Sequence, residues 1–154
     1  MKRDFAVAVK AVIIKENRAL VLCRSKDEME GSYMNSHQKW DLPGGGLHFF
    51  EKSDEGLLRE IMEETQLKVE IGPPLSLFDA IKHHIHLCIF TYACRWTEGE
   101  VFLSSEHESY MWLTKEEMED VPHHLIDILD PWDEFNVVVF QQKCKEAMAE
   151  IYER

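Results

Sequence analysis

Gly45 to Leu67 reads GGLHFFEKSDEGLLREIMEETQL, and the rest of the chain is organised around it. A glycine-rich turn is followed by Glu51 and then by an amphipathic run ending Arg59-Glu60-Ile61-Met62-Glu63-Glu64. On an α-helix, residues three and four apart share a face. Glu60, Glu63 and Glu64 therefore project to one side, and Leu57, Leu58, Ile61 and Met62 are expected to cover the core-facing side. A solvated helix face also carries glutamates, but it balances them with Lys or Arg at similar spacing. Here three carboxylates share one arginine, and a fourth, Glu51, stands just before the helix. Such a group repels itself unless a hard cation neutralises it, and oxygen donors grouped this way suit Mg²⁺ or Mn²⁺.

The composition narrows what such a site can serve. With 154 residues and 45% hydrophobic content, the chain is long enough for one domain, 1–154, with its own core. A net charge of −12 repels a phosphate-rich polymer and argues against nucleic-acid binding. A small anion remains admissible if metal bridges it to the carboxylates. Cys23, Cys88, Cys94 and Cys144 show no C-x-x-C spacing, so reduced thiols in a cytoplasmic protein are expected. Lys10 and Lys15-Glu16 interrupt the N-terminal apolar run before it makes a signal peptide, and no run is long enough to cross a membrane.

Outward from the central stretch, the pattern is mixed. Phe5–Ile14 reads as a buried strand, Glu16-Asn17-Arg18 as a turn and Ala19–Cys23 as an antiparallel strand. Residues 24–38 form a long polar loop of the kind that borders binding sites. Trp40-Asp41-Leu42 is a short strand leading into Pro43 and three glycines. The helix is expected over Ser53–Thr65 with Ser53 as N-cap. Strands are expected over Leu67–Ile71, Leu75–Lys82, Ile85–Trp96 and Ser109–Leu113, with Gly72-Pro73-Pro74 breaking the first from the second. Thr114 and Glu117 form a capping box for a short helix. Further helices are expected over 122–129 and 133–152. The apolar residues of the last segment offer either a homodimer surface or a face to pack on the sheet. His83-His84-x-His86 has a zinc-like flavour, and alternation on a strand would put His84 and His86 on one face.

The stretch from Gly45 resembles the Nudix box, G-x5-E-x7-R-E-U-x-E-E-x-G-U with U a bulky apolar residue. Gly45, Glu51, Arg59, Glu60, Ile61, Glu63, Glu64 and Leu67 match eight of its nine defined positions, and Gln66 stands where the family has its second Gly. The lead-in Trp40-Asp41-Leu42-Pro43-Gly44 and the downstream segment 106–117 are also similar to the family. The resemblance implies an α/β/α sandwich with a mixed sheet, and Mg²⁺- or Mn²⁺-dependent hydrolysis of a nucleoside diphosphate linked to another moiety. It implies that Glu60, Glu63 and Glu64 hold the metals, supported by Glu51, that Arg59 orients the carboxylates, and that Gly45 shapes the loop beside metal and substrate. Glu60, Glu64, Glu106 and Glu108 all stand as candidates for the general base.

The same resemblance makes Arg24 a candidate phosphate contact. Trp40 either packs in the core or stacks on a base. Phe49 and Phe50 replace smaller family residues, often Gly at the second, and either narrow the cleft or offer a stacking surface. A nucleoside triphosphate or a nucleotide sugar such as ADP-ribose is the expected substrate class. A non-catalytic nucleotide-binding module of this fold would be expected to have lost box glutamates, and this chain keeps all four. An isoprenoid-diphosphate isomerase of this fold would be expected to show a degenerate box and an added catalytic cysteine.

Overall fold

A computed structural model describes residues 4–26, 40–82 and 84–120. In chain order these form β1 (Asp4–Lys15), β2 (Arg18–Arg24), β3 (Trp40–Asp41), β4 (Gly44–Gly46), α1 (Ser53–Thr65), β5 (Lys68–Lys82), β6 (Ile85–Glu98), β7 (His107–Leu113) and α2 (Lys115–Asp120). The strands make one sheet of order β3-β2-β1-β6-β5, with β4 beside β1 and β7 beside β2. β1 and β6 run parallel, from Asp4↔Ile85 to Ile14↔Arg95. Every other pairing is antiparallel. This is the mixed-sheet α/β sandwich the sequence leads one to expect. The segments 122–129 and 133–152 and most of the 24–38 loop lie outside the described residues.

β1 is nearly continuous in apolar residues because both its faces are covered. Val12 and Ile14 join Ala19, Val21, Leu42, Leu75, Ala93 and Leu113 on one side, where Trp40 packs against them. Val9, Ala11 and Ile13 join Leu20, Leu22 and the helix residues Leu57 and Ile61 on the other. Glu16 and Asn17 turn the β1–β2 hairpin with φ of 47° and 71°, as a tight hairpin requires. Beyond that hairpin, β4 replaces β2 as β1's partner over Ala8–Lys10. Gly44 sits so close there, at φ +140°, that a Cβ would lie 2.0 Å from the Val9 carbonyl oxygen. That contact, with the left-handed φ, is why glycine is needed at this point.

α1 has the expected limits but not the expected buried face. Its buried residues are Gly56, Leu57, Ile61, Glu64 and Thr65, whereas Leu58 and Met62 are 43% and 41% exposed. One helix stripe meets the sheet, and 58 and 62 stand about 100° away from it. Glu64 falls on the buried stripe. The N-cap is Lys52 rather than Ser53, and it makes no side-chain cap bond. Ser53 instead accepts a hydrogen bond from the Tyr92 hydroxyl at 3.3 Å. Gly56 packs against the ends of two side chains: a Cβ would come within 2.3 Å of Leu47 Cδ2 and 2.9 Å of Glu51 Oε1, so both would have to shift to admit one.

Gln66 ends the helix in the left-handed conformation, φ 62° and ψ 18°, with its N–H donating to Met62 O at 3.0 Å. The backbone there is the one the family's glycine adopts without strain. Gln66→Gly is therefore expected to raise stability by about 1 kcal/mol with little change in activity. Urea unfolding checks this, and a lower midpoint would mean that the glutamine side chain has a stabilising role of its own.

Gly72-Pro73-Pro74 does not break the strand. β5 runs through it, with register shifts between Ile71 and Pro74 and between Pro74 and Ser76. β5 ends the order of the sheet and, among the described residues, pairs only with β6. Prolines that cannot donate are tolerated on such an edge or in a bulge. β7 begins two residues before the expected Ser109, which brings His107 into the sheet. The Thr114 capping box forms as expected, at 3.1 and 3.3 Å.

Candidate active site

Arg59 is the hub of the carboxylate group. Its Nε donates to Glu51 Oε2 at 2.7 Å and its Nη2 to Glu51 Oε1 at 3.0 Å. Its Nη1 reaches Glu60 at 3.0 Å and Glu63 at 3.2 Å, and Nη2 also reaches the Gly46 carbonyl at 3.0 Å. One planar fork thus ties the loop before the helix to two turns of the helix itself, which a lysine could not do. The guanidinium holds the Glu51 carboxyl down at about 2, helped by the His48 N–H. Gly45 lies against this group, since a Cβ would fall 2.7 Å from the Glu60 carboxyl carbon.

Glu64 is different in kind. It is 3% exposed and accepts the Gly44 N–H at 3.0 Å. Burial pushes its carboxyl up to about 9, against the pull of the Lys10 charge. His107, also buried, brings Nδ1 within 3.5 Å of Glu64 Oε2. That nitrogen has no hydrogen-bond partner among the described residues, and burial holds the imidazole down to about 4. Lys10 donates to Asp41 at 2.8 Å and to the Leu42 carbonyl at 3.4 Å. The fields of Asp41 and Glu64 outweigh its burial and raise its pKa.

Of the two downstream glutamates, Glu106 joins this group and Glu108 does not. Ligand atoms of Glu64, Glu106 and His107 all lie within 4.8 Å of one another. Glu106 is exposed, and its carbonyl accepts the Ser25 N–H at 2.9 Å, fixing its loop to the end of β2. Glu108 instead lies 3.5 Å from Cys23 Sγ. Arg24 is 4% exposed, opposite His107 in the β2–β7 register. Trp40 is half-buried against the core. Phe49 and Phe50 stand out in solvent, 88% and 97% exposed, in an edge-to-face pair 4.7 Å apart. Phe50 has φ 65°, a conformation that favours the glycine it replaces. A cavity of about 330 Å³ is lined by Lys15, Leu67, Val101, Tyr110 and Trp112, and no box glutamate lines it.

Lys10, Asp41 and His107 are the site residues that sequence reasoning did not single out. A lysine inside the apolar run Phe5–Ile14 is a signal, because a buried ammonium needs a carboxylate partner. His107 carries no such signal, since only the β2–β7 register brings it to Glu64. The donors fit a hard divalent cation. Carboxylate oxygens of Glu64 and Glu106 converge with His107 Nδ1, and Gly45 leaves room for the Glu60 carboxylate beside the loop. Glu64 is buried so deeply that its negative charge lacks sufficient support from the protein alone.

The NUDIX domain model matches residues 4–142, so the chain belongs to the Nudix family and is a Nudix hydrolase. A MutT-like protein of Streptomyces ambofaciens is 28% identical over 130 residues, 83% of this chain and 77% of that protein. Nucleoside triphosphatase NudI of Escherichia coli is 29% identical over 117 residues, 69% of this chain and 80% of that protein. Other relatives are longer proteins, of which this chain spans 20% or less. The crystal structure of a MutT protein from Methanosarcina mazei Go1 superposes with a TM-score of 0.72. It covers 95% of this chain and 97% of that one at 24% identity, a likeness of fold.

Proposed function

We propose that this hydrolase cleaves a phosphoanhydride bond in a nucleoside diphosphate linked to another moiety, with Mg²⁺ or Mn²⁺. The observation that carries the reading is the gathering of Glu51, Glu60 and Glu63 on Arg59 beside the buried Glu64. Glu60, Glu63 and Glu64 would hold the cation, with Glu51 in support. A cation there supplies neutralisation of the phosphate oxygens and a more acidic water. The chain's own residues position and exchange protons. Arg59 fixes the direction of three carboxylates, and the Gly44 N–H fixes Glu64. Glu106 is exposed enough to take a proton from the attacking water, and its closeness to Glu64 and His107 supports it over Glu108 as the base. In-line displacement at phosphorus asks for this kind of positioning more than for covalent help.

The exposed Phe49–Phe50 pair supports a stacking surface for the substrate at Phe50, whereas Arg24, buried at the end of β2, has no such support as a phosphate contact. NudI is by name a nucleoside triphosphatase, which favours a nucleoside triphosphate. A nucleotide sugar such as ADP-ribose is the other class to test. The thiols of Cys23, Cys88 and Cys94 support a reducing, cytoplasmic setting. A panel of nucleoside triphosphates and nucleotide sugars, assayed with Mg²⁺ or Mn²⁺ for phosphate released after phosphatase coupling, is expected to reveal turnover by the wild type. Glu63→Gln is expected to reduce it. Turnover of no member, or turnover undiminished in Glu63→Gln, would overturn the reading.

A further inference from the structure

Cys88 stands two residues after His86 in the sequence, and strand pairing brings Asp79 to both. Asp79 on β5 lies directly opposite Cys88 on β6. His86, two residues before Cys88, shares its face of the strand. Asp79 Oδ1 lies 2.9 Å from His86 Nε2 and 3.1 Å from Cys88 Sγ, and Cys88 Sγ lies 3.9 Å from His86 Nε2. The edge of the Phe5 ring meets the imidazole at a centroid distance of 5.1 Å, which restrains the His86 ring. The site is open to solvent, with the His86 and Asp79 side chains 42% and 55% exposed.

We propose that Asp79, His86 and Cys88 form a binding site for a borderline transition-metal ion, Zn²⁺, separate from the hard-cation carboxylates. The donor set is one nitrogen, one sulfur and one oxygen. It suits Zn²⁺ and is foreign to Mg²⁺. Ordinary Zn²⁺ bond lengths at a tetrahedral angle put such donors about 3.3 to 3.6 Å apart. The observed triangle differs from that by about 0.4 Å on each side, within the reach of small side-chain rotations. Three protein ligands leave a fourth position for water or another ligand. Binding releases the Cys88 thiol proton to solvent and takes the imidazole in its neutral form. Because the ligands come from two strands, the ion ties the edge strand β5 to β6.

The test uses the full chain, stripped of metal by chelator and dialysed at neutral pH. Co²⁺ serves as the visible probe, and Zn²⁺ is titrated in competition with a chromogenic chelator. One Co²⁺ per chain is expected to give a thiolate-to-metal charge-transfer absorption that Zn²⁺ abolishes. Cys88→Ser should lose that absorption, and His86→Ala should weaken Zn²⁺ by about tenfold or more. Both variants should keep the wild-type far-ultraviolet circular dichroism and Mg²⁺-dependent turnover, and Glu63→Gln should keep the Co²⁺ absorption. Zn²⁺ should raise the thermal midpoint of the wild type but not of Cys88→Ser. Absence of the absorption in the wild type, its persistence in Cys88→Ser, or unchanged Zn²⁺ affinity in both variants would overturn the proposal.

Discussion

Glu64→Gln is expected to lower turnover by a factor on the order of 10² to 10⁴ while making the metal-free fold more stable at alkaline pH. The two effects have opposite signs because Glu64 serves the site and burdens the fold. Its carboxyl is 3% exposed and raised to about 9. The amide that replaces it has nearly the same shape and still accepts the Gly44 N–H. It removes an oxygen that can carry charge, and with it the deepest of the proposed cation ligands. Steady-state kinetics on the best substrate of the panel, with urea unfolding of chelator-treated protein at pH 8, separates the roles. Retained turnover would make Glu64 a structural residue, and loss of both turnover and stability would mean that the fold needs the carboxyl.

The metal-free wild type is expected to lose stability as pH rises from 6.5 to 9, by about 1.4 kcal/mol per pH unit and about 3 kcal/mol across the window. A carboxyl whose folded pKa is raised binds its proton more tightly folded than unfolded. Its stabilisation is full below the unfolded value near 4.5 and is lost as pH rises to 9. His107 acts in the other direction. Its folded value, about 4 against 6.5 unfolded, makes stability grow as pH rises from 4 to 6.5. The two slopes offset each other below 6.5, and among the shifted groups of the described residues Glu64 acts alone above it. Glu51, Asp79 and Glu117 are shifted down and titrate below the window. Cys88, Cys94 and Lys10 are shifted up and act above it. Saturating Mg²⁺ should flatten the slope by taking the place of the proton, and Glu64→Gln should flatten it without metal. Urea midpoints at intervals across the window test this. A flat profile in the metal-free wild type would show that the buried carboxyl does not carry the linkage.

The expectations that held were those set by short-range geometry. The limits of α1, the Glu16-Asn17 turn and the Thr114 capping box depend on residues within a few positions of one another. Those that changed depended on distant partners. Leu58 and Met62 left the core because the sheet reaches only one stripe of α1. Pro73 and Pro74 stayed in a strand because β5, among the described residues, has a neighbour on one side only.

By itself the sequence determined the family of this protein. The spacing of Gly45, Glu51, Arg59 and the three glutamates resembles the Nudix box within one continuous stretch and needs no other part of the chain to be read. Tertiary structure decided what each carboxylate is worth. Glu63 lies out in water and Glu64 in the core, one position apart, because burial depends on what packs against a helix face. Pairing of distant strands likewise brought His107 to Glu64, and pairing of the consecutive strands β5 and β6 brought Asp79 to His86 and Cys88. Strand register joins residues that no local spacing relates.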